Sequence, residues 1–289
     1  MKKFFTFLLT VMITMSTQAY AAKVTGHIYK TDITAYENYL RIPSYNISGT
    51  TVVFARDLEN YGYDILWNSS NNTVEIKKNN SKKMTPILPT FEGYAPKGTV
   101  LYDIYESNIK VYHCGRIIPS YNIGGKIAVK IRDLDIFCSM IFSATEKTAL
   151  YITSIYNITD KERAHCMYFY KLIDIANQLE YDLQQAVSSR SGNTISDYHI
   201  NMINASHERL KKAKTEFTSY AEPSAFTNST NELWWAIVNA DLAAKSVTSN
   251  KKSFGIDALN QYQRYHYDSL YQKQKALNIL SEEISLKEE

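Results

Sequence analysis

The stretch Ile42-Pro43-Ser44-Tyr45-Asn46-Ile47 returns 76 residues later as Ile118-Pro119-Ser120-Tyr121-Asn122-Ile123, and this recurrence decides the reading of the first half of the chain. Working outward without a gap, Gly49 matches Gly125, Val53 matches Val129, and Arg56-Asp57-Leu58 matches Arg132-Asp133-Leu134. Upstream, Ile28-Tyr29, Ile33 and Tyr36 meet Ile104-Tyr105, Ile109 and Tyr112; downstream, Ile65 and Ile76 meet Ile141 and Ile152. About a third of the paired positions agree, which marks an internal duplication.

Each copy reads as β-rich with one short helix. Val24 to Tyr29 and Val100 to Tyr105 carry the β-branched and aromatic residues of strands. The Pro-Ser-Tyr-Asn segment with Gly49 or Gly125 supplies turn chemistry, and Thr51 to Phe54 is a further strand. Asp57 to Gly62 suits a short helix ended by glycine. Tyr63 to Trp67 and Thr73 to Lys77 form a hairpin around Asn68 to Asn72, a place taken in the second copy by Ala149 to Ile152.

These features resemble the copper amine oxidase N-terminal-like module, or stalk domain, of secreted bacterial proteins. The likeness rests on the Val-x-x-Arg-Asp-Leu step, the glycine before a strand ending in Trp67, and Val74-Glu75-Ile76. The second copy departs from it, with Cys138 in place of the glycine and Ser143 in place of the tryptophan. The resemblance implies a spacer or interaction module. It implies no oxidase: the Asn60-Tyr61 pair lacks the threonine before and the acid after that the quinone-forming motif requires, and no His-x-His pair is present for copper.

The amino terminus reads as a secretory signal peptide over residues 1–21. Lys2-Lys3 precede an apolar run from Phe4 to Ile13, and Ala19-Tyr20-Ala21 offers the small residues of a cleavage site. The run falls short of the roughly 20 apolar residues that span a bilayer. No later stretch is long and apolar enough, so no transmembrane span is expected in the mature chain. The formal charge is +3 with Lys2 and Lys3 included. Near-neutrality and scattered lysines give no basis for nucleic-acid binding. Three cysteines make an odd count for an oxidising compartment. Cys114 and Cys138 fall in one copy, and both a disulfide and free thiols remain open for them.

After about Asn157 the apolar period changes from two to that of helices. Thr159-Asp160-Lys161-Glu162 is a capping-box pattern. Four amphipathic stripes follow, broken at Ser189 to Asn193, before Pro223, and at Asn250 to Gly255; Lys273 interrupts the last. Short connections between them favour an antiparallel bundle. The expected fold class is therefore α+β: two small duplicated β-rich modules with a short helix each, followed by an antiparallel four-helix bundle. The expected boundaries are 22–77 for module one, 78–98 for a linker, 99–154 for module two and 155–289 for the bundle.

No catalytic constellation emerges. Glu162 and His165 have the spacing of two ligands on one helix face, yet no second such motif exists and Glu162 is the capping partner of Thr159. Gly-x-Ser-x-Gly, Ser-x-x-Lys and P-loop motifs are missing. No metal or cofactor is expected. Trp234 and Trp235 are the interaction candidates, because two adjacent rings cannot both face the core of one amphipathic helix. The expectation is a non-catalytic exported cell-envelope or extracellular protein, acting as a spacer or interaction module toward a cell-wall polymer or an envelope protein. The alternatives are a cell-wall-acting hydrolase and an extracytoplasmic small-molecule binding protein.

Overall fold

A computed structural model describes residues 23–88, 96–134, 139–143, 147–152, 158–219 and 223–287. The expected signal peptide, Cys138 and residues 89–95 of the expected linker lie outside them. The fold is mixed α+β, with a β-rich amino-terminal half and a carboxy-terminal half of four helices.

The repeated hexapeptide shows why the β half forms. Ile42 ends strand β3 (Leu40–Ile42) and is buried in the main core. Ser44 Oγ donates to the Ile33 carbonyl at 2.9 Å and lies 3.3 Å from the Ala35 amide, tying the segment to β2 (Thr34–Glu37). In β4 (Tyr45–Ile47), Tyr45 and Ile47 alternate inward while Asn46 points to the turn. There its Oδ1 accepts from the Gly49 amide at 3.0 Å, as Asn122 Oδ1 does from Gly125 at 3.3 Å. The segment expected as a turn is therefore a strand, because Tyr45 and Ile47 have an apolar face to fill. The turn itself falls two residues later, at Ser48-Gly49.

Four hairpins close with two-residue loops whose central residues both have positive φ, the arrangement that matches strand twist. They are Asn38-Tyr39, Ser48-Gly49, Cys114-Gly115 and Gly124-Gly125. The strands they join are β2 with β3, β4 with β5 (Thr50–Phe54), β9 (Lys110–His113) with β10 (Arg116–Ile118), and β11 (Ser120–Ile123) with β12 (Lys126–Lys130). Cys114 is thus an exposed free thiol at a turn tip.

With β1 (Val24–Lys30) and β8 (Val100–Tyr105), four of these strands close a six-stranded barrel in the order β1-β4-β5-β12-β11-β8. Its interior is filled by Ile28, Tyr45, Ile47, Val52, Phe54, Ile104, Ile123 and Ala128. Val53 and Val129, on the opposite pleat, face the main core instead, as the period of two dictates. Two four-stranded sheets flank the barrel. One runs β10-β9-β7-β6, with β6 spanning Tyr63–Asn68 and β7 spanning Thr73–Lys78. The other runs β13-β14-β2-β3, with β13 at Ser139–Ser143 and β14 at Thr148–Ile152. All three sheets draw strands from both 24–78 and 100–152.

The short helices at Asp57 and Asp133 are 3-10 turns, Ala55–Tyr61 and Ile131–Leu134. Gly62 closes the first at φ 82°, and its amide reaches the Leu58 carbonyl. Arg56 and Arg132 are both exposed, and neither makes an ion pair among the described residues.

The helices are α1 (Asp160–Ser188), α2 (Asp197–Ser219), α3 (Thr227–Ser249) and α4 (Ile256–Ser285). Thr159 and Glu162 form the expected reciprocal capping box. Neighbours run antiparallel. Lys171 meets Glu216 while Asp182 meets Ser206; Glu232 meets Lys275 while the Asn228 amide meets Glu283. Across the bundle, Glu162 pairs with Lys287 near the end of α4. One continuous apolar core joins the helices to the outer faces of the β half. Arg41 bonds Asp174, and the Tyr36 and Tyr170 rings meet edge to face at 5.8 Å. Residues 79–88 run along α4: Ser281 Oγ donates to the Met84 carbonyl at 3.1 Å, and Gln274 Nε2 to that of Pro86 at 2.9 Å. Among the described residues, no helix is long and apolar enough to cross a membrane.

Candidate functional site

Among the described residues, two of the places that gather polar side chains differ sharply in access. The first is the centre of the bundle. On α4 the positions Tyr262, His266, Ser269, Lys273, Leu277, Leu280 and Ile284 recur at gaps of three and four, the spacing of one helix face. Lys273 is therefore part of the inward stripe, fully buried, and it is answered from α1. Its Nζ donates to Glu180 Oε2 at 2.6 Å and also to Asn177 Oδ1, while Ser269 Oγ donates to Glu180 Oε1 at 2.5 Å. Burial holds the Lys273 ammonium below the usual lysine range, with Glu180 opposing that shift. Burial likewise lowers His266, whose Nδ1 lies 4.0 Å from Glu180 and whose ring stacks on Tyr262. The side chains of Glu180 and Lys273 are 1% and 0% exposed. The cluster is sealed, so it can hold helices in register but offers no surface to a substrate.

The second place is open. The core-facing row of β6 runs Tyr63, Ile65, Trp67; the first is buried, the second partly buried, and Trp67 passes beyond the core to stand 53% exposed. It forms one wall of a cleft of about 550 Å³ whose other residues include Asn72, Glu106, Asn108, Ile109 and Asn122. Asn72 is fixed in the β6–β7 turn at φ 52°, and its carbonyl accepts from the Lys110 amide at 3.0 Å. Parallel pairing of β7 with β9 brings the 106–109 loop against that turn. Among the described residues, the side chains of Asn72, Glu106 and Asn108 have no hydrogen-bond partner, so donors and acceptors of both kinds face the cleft. Of its lining residues, Glu106 alone carries a carboxyl.

Trp234 is half-buried on α3 with Lys214 Nζ over its ring at 4.4 Å. Trp235 is 59% exposed. The two are therefore apart from the Trp67 cleft in sequence and element, and α3 directs them differently. His165 does not join Glu162 as a ligand: its Nε2 lies 3.1 Å from Thr230 Oγ1, among Phe169, Phe217 and Phe226. Burial there pushes its pKa down to about 4. Glu162 is committed to Thr159 and Lys287. Cys166 is buried, which raises its thiol far above the reactive range. The tyrosines of α4 do not converge, since Tyr262 is buried while Tyr267 and Tyr271 are exposed.

Sequence reasoning used Trp67 as a marker of fold and missed it as a site. The available signal was the copy comparison: position 67 is tryptophan and position 143 is serine. Lys273 was legible as an interruption but not as half of a pair, because Glu180 lies in another helix.

No family model, curated protein or solved structure matches the chain.

Proposed function

We propose that the chain is an exported, non-catalytic interaction protein of the bacterial cell envelope, whose β half presents a docking end and whose bundle serves as a rigid spacer. The observation that carries this reading is the contrast in access. The ionisable cluster around Glu180 and Lys273 is sealed, while the cleft at Trp67 is open and built from an aromatic ring, amides and one carboxyl. Such residues hold a ligand; conversion by paired acids needs two carboxyls across a groove, and this cleft is lined by one. Lys2-Lys3, the Phe4 to Ile13 run and Ala19-Tyr20-Ala21 support export.

The β half is, in this reading, a pair of duplicated stalk-like modules that have interlocked. Strands 76 residues apart hold equivalent positions in the barrel: β1 with β8, β4 with β11, and β5 with β12. The flanking sheets agree, each combining the β2–β3 type of hairpin from one copy with the β6–β7 type from the other. Interlocking favours a stiff unit, because neither copy closes the barrel alone.

Fractionation of the producing cells tests the functional reading. Retention in the wall or envelope fraction, with loss of the amino-terminal residues through Ala21, is the expected result. A product recovered quantitatively as free protein in the medium, or retained uncleaved inside the cell, overturns it.

A further inference from the structure

We infer that the Trp67 cleft binds a neutral glycan, one pyranose unit of a linear polysaccharide stacking on the indole. This deepens the docking reading above and rests on it. A pyranose has two unlike surfaces: a flat patch of C–H groups on one face, and hydroxyls around its rim. The cleft offers a partner for each. The half-exposed Trp67 ring presents a flat apolar platform that is already fixed by the β6–β7 ladder, where Trp67 pairs with Val74. Around it stand Asn72, Asn108 and Asn122, whose amides both donate and accept, and Glu106, whose carboxylate accepts from hydroxyls.

Charge decides between classes of polymer. A single carboxylate among uncharged amides attracts hydroxyl donors and repels phosphate or uronate groups, so an anionic wall polymer is the wrong occupant. Shape agrees. The depression, of about 550 Å³, is shallow and broadly open to solvent, as a site on a linear polymer must be. Preorganisation also favours binding, since the Asn72 turn is held by the Lys110 amide and the Asn122 Oδ1 by the Gly125 amide.

The corresponding positions of the first copy carry charges instead. At positions 76 residues away, Lys30 and Asp32 stand where Glu106 and Asn108 do in the open cleft. There Asp32 pairs with Lys97 at 2.8 Å and Lys147 at 2.7 Å, and Lys30 exchanges backbone hydrogen bonds with residues 98–99.

The test is calorimetric titration of the full purified chain with a soluble β-1,4-linked N-acetylglucosamine tetrasaccharide, with cellotetraose, and with a glycerol-phosphate polymer. Saturable binding of at least one neutral oligosaccharide at about 1 mM or tighter is expected, with none of the anionic polymer. Trp67→Ala should weaken that binding at least tenfold, Trp67→Phe should restore most of it, and Glu106→Gln should cost a few-fold. Trp235→Ala should leave it unchanged. Equal binding by the wild type and Trp67→Ala, or binding of the anionic polymer alone, overturns the proposal. Envelope retention without binding of either neutral sugar overturns the glycan assignment and leaves the envelope reading standing. Sugar binding by a protein found free in the medium does the reverse.

Discussion

The centre of the bundle and the Trp67 end of the β half both concentrate polar side chains, and they differ in what water can reach. Around Glu180 and Lys273 every charged atom is enclosed by helices, so its partners must come from the protein. Around Trp67 the Asn72 and Asn108 amides and the Glu106 carboxylate are left to solvent, so their partners can be exchanged for a ligand's. Similar chemistry thus sits in two different surroundings. An enclosed pair fixes which helix faces meet, because any other register would strand a buried charge. An open set costs the fold little and is free to recognise something else.

The largest expected effect lies at the enclosed end of that contrast. Lys273→Ala leaves Glu180 buried without its cation, and the loss should be about 3–5 kcal/mol of unfolding free energy, read as a shift of the urea midpoint. The double variant Glu180→Leu with Lys273→Met removes both charges and should fall within about 2 kcal/mol of the parent. If the single variant costs no more than the double, the pair is not what holds α4 against α1.

The enclosed pair also marks where sequence reading stops. The four helices were legible because periodicity and caps are local: Thr159 and Glu162 are three residues apart, and the breakers fall where the helices end. The barrel was not legible, since its closure depends on β1 meeting β8 and β5 meeting β12, strands about 75 residues apart. Strands β2, β3, β9 and β10 are too short to announce themselves by alternation, each spanning three or four residues. Glu180 and Lys273 could not be joined on paper, because 93 residues separate them. The Trp67 cleft assembles the β6–β7 hairpin with the 106–109 loop and β11, so its chemistry appears only once the sheets do.

A position of intermediate access should give an intermediate effect. Asp57 is partly buried at the barrel seam, where desolvation pushes its carboxyl from 3.8 up to about 6, with Lys126 opposing. The folded chain therefore holds this proton more firmly than the unfolded chain does. Stability from this group is greatest below about pH 4 and falls as pH rises through about 6, then levels. Asp57→Asn should remove that decline and stabilise the protein at pH 7.5 by about 1–2 kcal/mol, a figure discounted for partial exposure. At pH 3.5 the variant and parent should agree. Denaturation midpoints at the two pH values check the sign; a variant less stable at pH 7.5 would mean that the charged carboxylate is favoured after all.

The capping box at the start of α1 comes next. Thr159→Ala removes the hydroxyl that accepts from the Glu162 amide and should cost about 1 kcal/mol. Glu162 keeps Lys287, so the loss should stay near that figure rather than spread along the bundle. A loss beyond about 2 kcal/mol would show that the Thr159 side chain also fixes the contact between α1 and the end of α4.

The smallest effect should come from the residue with the most proposed function. Trp67→Ala removes a large ring, yet its neighbours Val74 and Ile65 are held by other contacts and the ring is more exposed than buried. Its unfolding free energy should stay within about 0.5 kcal/mol of the parent, as for other surface substitutions. Core aromatics behave otherwise: truncating Tyr61 or Phe169, both fully buried, should cost about 3–5 kcal/mol. A Trp67→Ala variant that unfolds several-fold more readily would place the ring in the fold's own accounts and weaken the contrast. A variant of parental stability that has lost its ligand would show that the strand frame carries Trp67 outward for a purpose other than packing.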